Sequence, residues 1–402
     1  MSRHPAWREV AVAAVGLPLV ITLVVMMFAW PAGRSAPRDV PVGIVGTGAA
    51  SQRAVEGLVH EKPGAFDFRL YPNQQAARSA IEDRDVYGAF VIASDDITVL
   101  QASAASPSVA QLLGQVGQQL ADRATQQKLA QQEAAQERAA EQKADRQKGT
   151  QEKASRQKAG EQEADGVKSP SEVHVRALDV VPVAAEDPKG VVFSSAVFPL
   201  TICGILIGSF VATARGLQRR SHRVLTLLVA CAVAGFGAYL VAQGFLGALP
   251  HDHVATWAVL SLVLVSISAT AAGLIRLLGP AALGLSAALM VFVGNPFSGA
   301  SSAPEMLPTG VDYVGQWLPP GAGASLLRDT AYFDGNGSAG PLGVLVLWSV
   351  CGLTALAFGR GISRKASGAK TGATASGASH PTWANEGSGA VLPERRHAHA
   401  RT

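Results

Sequence analysis

The sequence predicts an α-helical integral membrane protein with six transmembrane helices and a small α/β extracytoplasmic domain inserted between helices 1 and 2. Three observations lead to this fold class: an isolated apolar run near the N-terminus, a long polar stretch after it, and a block of five further apolar runs. The isolated run, residues 10–30 (VAVAAVGLPLVITLVVMMFAW), carries no charge. At about 1.5 Å per residue it is long enough to cross a hydrocarbon core of about 30 Å.

A cleaved signal peptide is the alternative interpretation of this run, because a basic start and the small residues of PAGRSA also fit one. The apolar stretch is longer than the roughly 7 to 15 residues usual in a signal peptide, so a membrane anchor is favoured.

Five later apolar runs form the predicted membrane block, residues 192–359. They cover about 192–213, 224–246, 255–275, 280–294 and 341–359. The run 280–294 is short and continues into NPFSG. Cys203, Cys231 and Cys351 all fall within these runs, so no cysteine pair is offered to the outer domain as a disulfide.

Lysine and arginine flank the runs on alternate sides, which predicts the orientation, since short cytoplasmic loops carry the excess of positive charge. The loop 295–339 has only Arg328 against four carboxylates. Both termini are therefore predicted to be cytoplasmic in a multi-pass protein of the cell membrane, with residues 1–9 and a disordered tail, 360–402, inside. The charges that lead to this orientation are Arg3, Arg8, Arg215, Arg219, Arg220, Arg223, Arg276, Arg360, Arg364, Lys365 and Lys370.

Strands alternate with helices over residues 31–123, which predicts the small α/β domain. VPVGIV, FDFRLY, VYGAFVIA and ITVLQA have the composition of strands, and EVHVRALDVVPV is predicted to return as a strand within 167–191, ahead of the second span. GTGAAS resembles the start of a dinucleotide-binding fingerprint. Ser51 replaces its third glycine, however, so a plain strand-to-helix turn is favoured.

A tract rich in Ala, Gln, Glu, Lys and Arg occupies residues 124–166, and Leu129 is its only large apolar residue. It lacks the apolar seam that drives a coiled coil. A solvated helix with charge pairs four residues apart is favoured over a disordered spacer.

Motifs for catalysis are absent from the sequence: it contains no Walker A pattern, no nucleophile elbow and no HExxH. We expect no enzyme activity, no cofactor and no metal. His251, Asp252 and His253 could together bind a metal, but a solvated turn is favoured. The net charge of +4 comes largely from the inner loops and the tail, and so needs no nucleic acid to explain it. Ionisable residues are nearly missing from the spans, which argues against an ion-driven transporter.

The loop 295–339 is the most specific stretch of the sequence. Its Pro and Gly breaks enclose two apolar pieces, VDYVGQWL and ASLLRDTAYF, which are too short to cross a membrane. Tyr313, Trp317 and Tyr332 are typical interfacial aromatics. The loop is predicted to be re-entrant or interfacial, the alternative being a surface loop packed by its own apolar residues. Its candidate functional residues are Asn295, Pro296, Pro304, Glu305, Tyr313, Trp317, Leu318, Pro319, Pro320 and Arg328.

The phrases NPFSG, APEMLP, GQWLPPGA and LLRDTAYFDG resemble the actinobacterial relatives of the YhgE/Pip (phage infection protein) group in the type 2 ABC exporter permease superfamily. DPKG before the second span is similar to that family's usual approach to the membrane block. The resemblance is specific over residues 185–359 and carries no catalytic residues. The long coiled-coil region of larger relatives is reduced here to the polar tract.

The resemblance implies a membrane-spanning permease subunit of an ABC-type exporter, powered by a separate P-loop ATPase, with no substrate specified. Such channels form at the interface of a homo- or heterodimer, here predicted along the small-residue faces of Gly204, Gly208, Gly235 and Gly237. The candidate cytoplasmic coupling loop contains Arg215, Arg219, Arg220 and Arg223, although membrane orientation alone also explains these arginines. The alternative is a non-transporting cell-surface scaffold or receptor, similar to a phage receptor, that binds cell-wall polymer or protein.

Overall fold

Helices make up most of the structure, a computed structural model that describes residues 5–46, 48–93, 96–151, 173–188, 190–217, 219–249 and 252–359. Among these residues, five helices are long and apolar enough to cross a membrane. The prediction of a multi-pass membrane protein is thereby confirmed. The five candidate spans are Ala14–Gly33, Val191–Thr213, Arg220–Phe245, His253–Leu278 and Ala339–Phe358.

The elements alternate between a helical bundle and a sheet. In chain order they are α1 (Pro5–Gly33), β1 (Val40–Val45), α2 (Ala49–Glu61), β2 (Phe66–Tyr71), α3 (Gln74–Glu82), β3 (Gly88–Ile92), β4 (Asp96–Gln101), α4 (Pro107–Gln151), β5 (His174–Asp179), α5 (Val191–Thr213), α6 (Arg220–Tyr239), a π-helical turn (Leu240–Phe245), α7 (His253–Leu278), α8 (Ala282–Ala287), a second π-helical turn (Ala288–Gly294), a 3-10 turn (Pro304–Met306), α9 (Val311–Gln316), α10 (Pro319–Tyr332) and α11 (Ala339–Phe358).

A mixed five-stranded sheet lies between α1 and α5 in the chain. Its strand order is β2-β1-β3-β4-β5, with β1 parallel to both neighbours, β3 and β4 antiparallel, and β5 parallel to β4. The apolar side chains of its strands form the core, where Val42, Ile44, Phe90 and Leu100 are each at most 1 % exposed. Because parallel strands need helical crossovers, α2 and α3 connect β1, β2 and β3.

Helix α4 begins on this sheet and extends past it. Val109, Leu113 and Val116 are buried against the strands, whereas most residues from 126 to 141 are exposed. The helix passes residue 124 without a break and is helical to Gln151. The remainder of the polar tract, 152–166, lies outside the described residues. The backbone N–H of Val173 donates to Thr125 Oγ1 at 3.3 Å, so the chain leaves the sheet and returns to it at one point.

Helix α7 is the centre of the bundle and packs against α5, α6, α10 and α11. A Cβ at Gly204 would press on Ile267, and Cβ atoms at Gly208 and Gly235 would collide with Ser268 and Ser261. These three glycines therefore pack against α7 within one chain. The prediction that these three glycines line a dimer interface is wrong, because α7 of the same chain already occupies them. A Cβ at Gly237 would meet nothing within 4 Å, so for Gly237 an interface stays a prediction.

The fifth predicted span, 280–294, is a short apolar helix made of α8 and the π-helical turn that follows it. At 1.5 Å per residue, Ala282–Gly294 extends for about 20 Å, well short of a hydrocarbon core of about 30 Å. The composition of the run predicts a full span, and the length of the helix does not support this prediction.

Candidate functional site

The bundle has two ends. We call the one next to the sheet the sheet end, and the one that carries the arginines of α6 and α7 the arginine end. At the sheet end, α1 finishes and α5 starts; at the arginine end, the Arg220 guanidinium lies 5.3 Å from the centre of the Phe358 ring. Arg276 Nη2 donates to the Gly359 carbonyl at 3.4 Å, which places the end of α7 at the arginine end as well.

The connecting segment, residues 295–338, folds back into the bundle. The indole Nε1 of Trp348, at the middle of α11, donates to the Trp317 carbonyl at 2.8 Å. The Tyr332 hydroxyl donates to the Ala248 carbonyl at 2.6 Å, in the turn that precedes α7. Helix α10 therefore starts halfway down the bundle and rises to its sheet end, and almost all of its residues are buried.

Proline and glycine shape this segment locally. Pro319 and Pro320 occupy the first turn of α10, where a missing backbone N–H costs nothing. Gly315 lies against the Phe297 carbonyl so closely that any Cβ would collide with it. Gln316 Nε2 donates to the Ser298 carbonyl at 3.0 Å. The turn after the second π-helical turn and the start of α10 are thus held together.

The sheet contacts α10 through a buried ion pair. The Arg84 guanidinium, in the turn after α3, pairs with the Asp329 carboxylate. The two side chains are only 15 % and 2 % exposed. Arg84 also lies 5.2 Å from the centre of the Phe333 ring, and Asn336 Nδ2 donates to Asp83 Oδ1 at 3.2 Å. The pair is therefore desolvated and reinforced on both sides.

A second contact joins the sheet to the connecting segment around Glu305. The Tyr87 hydroxyl donates to Glu305 Oε2 at 2.7 Å, and burial, together with the negative charge of Glu305, raises the pKa of that hydroxyl. The backbone N–H groups of Ala36 and Arg38 donate to the carbonyls of Met306 and Glu305, both at 3.0 Å. The chain between α1 and β1 thus pairs with the connecting segment as a strand-like strip.

Arg328 is the most deeply placed of the candidate residues. It is 3 % exposed, its Nη2 donates to the Ala300 carbonyl at 3.0 Å, and its guanidinium lies 4.7 Å from the centre of the Phe193 ring in the first turn of α5. A cation this buried is costly unless it is satisfied by such contacts. Arg328 therefore ties α10 to α5.

These contacts enclose a polar cavity of about 310 Å³. Carboxylates, a guanidinium, an amide and hydroxyls converge on it. Its polar lining consists of Arg84, Tyr87, Glu305, Gln316, Ser325 and Asp329. We name this cavity, together with its polar lining, the polar junction.

The structure brings some predicted residues together and separates others. Glu305 and Pro304 line the polar junction, whereas Asn295 and Pro296 line a separate cleft of about 420 Å³ beside α1 and α5. Leu318, Pro319 and Pro320 are buried. Tyr313 and Trp317 are exposed and their ring centres lie 6.2 Å apart. Arg84, Tyr87 and Asp329 were missed, because no local pattern distinguishes them from surface residues.

The predicted coupling loop lies at the arginine end, away from the polar junction. Arg215, Arg219 and Arg220 are exposed and Arg223 is half-buried. Exposed cationic side chains are thus accessible to a partner there, and one of them, Arg220, also stacks on the Phe358 ring.

Two other segments singled out in the sequence are the possible metal site around Asp252 and the GTGAAS phrase. Asp252 accepts the backbone N–H groups of Val254 and Ala255 as the cap of α7, and His251 lies outside the described residues. No group of three His, Cys, Asp or Glu side chains with metal-binding geometry occurs in the described part of the chain. Within the GTGAAS phrase, α2 begins at Ala49, with Gly48 as its N-cap.

Residues 10–358 fit the model of a family described as ABC-2 family transporter protein. This range runs from α1 to the end of α11 and contains the sheet, the bundle and the polar junction. No curated protein and no solved structure matches the chain.

Proposed function

We propose, because this chain belongs to the ABC-2 transporter family, that it is the membrane-spanning permease subunit of an ABC-type exporter and that a separate ATPase powers it. The family accounts for a membrane permease of an ABC transporter. The separate ATPase, the dimer and the direction of transport are the proposal. No substrate is part of it.

The observation that carries the proposal is the path of the connecting segment. It starts at the second π-helical turn, reaches the sheet around Glu305, descends to Trp317 at mid-bundle and rises again through α10. A segment that dips halfway and returns on the same side has the form of a re-entrant loop. Its backbone is tolerated at that depth because it is buried in protein.

The proposed topology puts the sheet outside the cell and the arginine end in the cytoplasm. The exposed arginines at one end and the sheet at the other support this orientation. The short helix Ala282–Gly294, extended by the turn at Asn295, then carries the chain from the arginine end toward the sheet end. It would take the place of the fifth predicted span, and both termini would be cytoplasmic.

In this arrangement the two ends of the permease have separate tasks. An ATPase would dock on the loop of Arg215, Arg219 and Arg220, since an arginine pairs well with carboxylates on a partner surface. Helix α7 contacts α5, α6, α10 and α11, so a shift at the arginine end reaches α10 through packed helices. The polar junction would then transmit that shift to the sheet.

The test is to isolate the full chain from its native membrane by crosslinking and to reconstitute it in lipid with the ATPase subunit that co-purifies. We expect the hydrolysis rate of that subunit to change when the permease is present. Replacing Arg215, Arg219 and Arg220 together with Ala should abolish the change, while Arg138→Ala on α4, exposed and far from this loop, should leave it intact. Thiol labelling of a cysteine at Ser221 verifies that the triple variant keeps its orientation. Either result would overturn the proposal: no ATPase co-purifies with the chain, or the co-purified ATPase hydrolyses ATP at the same rate with and without the permease.

A further inference from the structure

An apolar groove of about 580 Å³ lies between α5 and α6, in the half of the bundle nearest the sheet. Helix α7 forms its floor with Leu260 and Leu264, and Leu327 of α10 closes one side. Its lining is almost entirely aliphatic. The groove is distinct from the polar junction, with which it shares no lining residue.

Small side chains keep the groove open. Ala234, Gly237, Ala238 and Ala242 line it from α6 and the π-helical turn, while Ala196 and Cys203 line it from α5. Such a stripe usually marks a close helix contact in membranes. Here it does not, because a Cβ at Gly237 would meet nothing within 4 Å, whereas Gly235, two residues earlier, is pressed against α7.

The π-helical turn Leu240–Phe245 widens the same wall. It continues α6 and supplies Val241 and Ala242 to the lining. π-helical turns occur as insertions in α-helices and are frequent at functional sites. The groove thus coincides with the one irregular stretch in the described part of this candidate span.

The groove is continuous with the surface that faces lipid. Ile202 on α5 and Val233 on α6, which flank it, are exposed apolar residues in candidate membrane spans. From Val191 to Cys203 the groove follows α5 for about 18 Å at 1.5 Å per residue. One leaflet occupies about half of a 30 Å hydrocarbon core, so the groove has the length of a single acyl chain.

We propose that this groove binds one acyl chain of a phospholipid from the leaflet on the sheet side of the membrane. The chain lies along α5 over the floor of α7, and its end touches Leu327, which belongs to α10. An acyl chain needs no hydrogen-bonding partner, in agreement with the aliphatic lining. The site does not depend on transport or on an ATPase.

The test uses the full chain in nanodiscs of phosphatidylcholine that carries a photoactivatable group on one acyl chain. We expect crosslinks concentrated on the groove walls, in peptides that contain Ala196–Cys203 and Gly237–Ala242. Gly237→Trp should fill the groove and abolish these crosslinks. Val233→Trp, one turn away on the exposed face of α6, should retain them. Both variants should keep the thermal stability of the natural chain, because a Cβ at Gly237 would meet nothing within 4 Å and Val233 is an exposed residue.

Two native thiols give an independent readout. Cys203 lines the groove and Cys351 lies exposed on α11, outside it. A bound acyl chain should slow the reaction of Cys203 with a membrane-soluble maleimide relative to Cys351, and removal of lipid by detergent should erase the difference.

Three results would overturn the proposal. One is crosslinking spread evenly over the lipid-facing sides of α1, α6 and α11, which would mean bulk lipid only. Another is persistence of the groove crosslinks in Gly237→Trp. The third is a Cys203–Cys203 disulfide between two chains under mild oxidation in a Cys351→Ala background, which would identify a second copy as the occupant.

Discussion

Removing one partner of the Arg84–Asp329 ion pair should detach the sheet from α10. Breaking a buried pair by deleting one partner costs about 3 to 5 kcal/mol, because the other charge is left buried alone. Asp329 is 2 % exposed and Arg84 15 %, so Arg84→Ala strands the more deeply buried charge and also removes the contact with the Phe333 ring. We expect Arg84→Ala to cost about 5 kcal/mol and Asp329→Ala about 3.

The assay is hydrogen exchange of the backbone N–H groups of Ala36 and Arg38, which donate to the connecting segment. At tenfold per 1.4 kcal/mol, the opening equilibrium should rise roughly a hundredfold in Asp329→Ala and up to several thousandfold in Arg84→Ala. Arg176→Ala is the matched control in the same sheet, because its pairing with Asp96 is at 4.0 Å and its side chain is 78 % exposed. A surface pair of this kind is worth at most about 1 kcal/mol.

Arg84→Ala should exchange faster than Asp329→Ala, because it leaves the more deeply buried charge without its partner. Equal exchange in Arg84→Ala and in the control would show that the ion pair does not hold the sheet to α10. An Arg84→Met, Asp329→Leu double variant that exchanges like the natural chain would fit the reasoning, since apolar replacement of a buried pair is often neutral.

Three further predictions concern orientation, the polar tract and pH. Single cysteines at Gln126 and Ser301 should react with an impermeant thiol reagent in intact cells and one at Ser221 should not; the reverse pattern would refute the topology. Deleting residues 126–162 should leave membrane expression and thermal stability unchanged, because the described part of that stretch buries little apolar area, and wholesale loss of the protein would show that the tract packs. Burial raises the pKa of Tyr87 above the ordinary value of 10.0, so its contribution to stability should be full below about pH 10 and decline above it; tyrosinate absorbance should show a late-titrating group that Tyr87→Phe removes.

Apolar runs were enough to predict the membrane helices, since a bilayer imposes one length and one polarity on every helix that crosses it. The same rule explains the failure at 280–294, where composition suggested a span and the helix is too short to be one. The Pro and Gly breaks of the connecting segment likewise marked a folded loop, because they fix backbone positions locally, as at Gly315.

Contacts between residues far apart in the chain could not be predicted from the sequence. Arg84 and Asp329 meet only because the turn after α3 lies over α10, and neither neighbourhood carries a sign of the other. Arg328 looked like a loop cation and is buried, because Phe193 and the Ala300 carbonyl surround it. The small residues correctly predicted that another helix packs closely against them, but they do not identify that helix. Gly208, for example, packs on α7 of the same chain.

Val173 lies next to Thr125, although the two residues are 48 positions apart in the chain. The stretch between them is therefore a suitable place for an insertion. Because Val173 donates to Thr125, the sheet needs only that the two ends of the excursion stay close together. Doubling the length of a flexible loop costs only about 0.6 kcal/mol. A fluorescent domain, an epitope or a longer helical arm could therefore be spliced in there while the strands keep their register, which makes this the natural place to attach a label for following the protein in living cells.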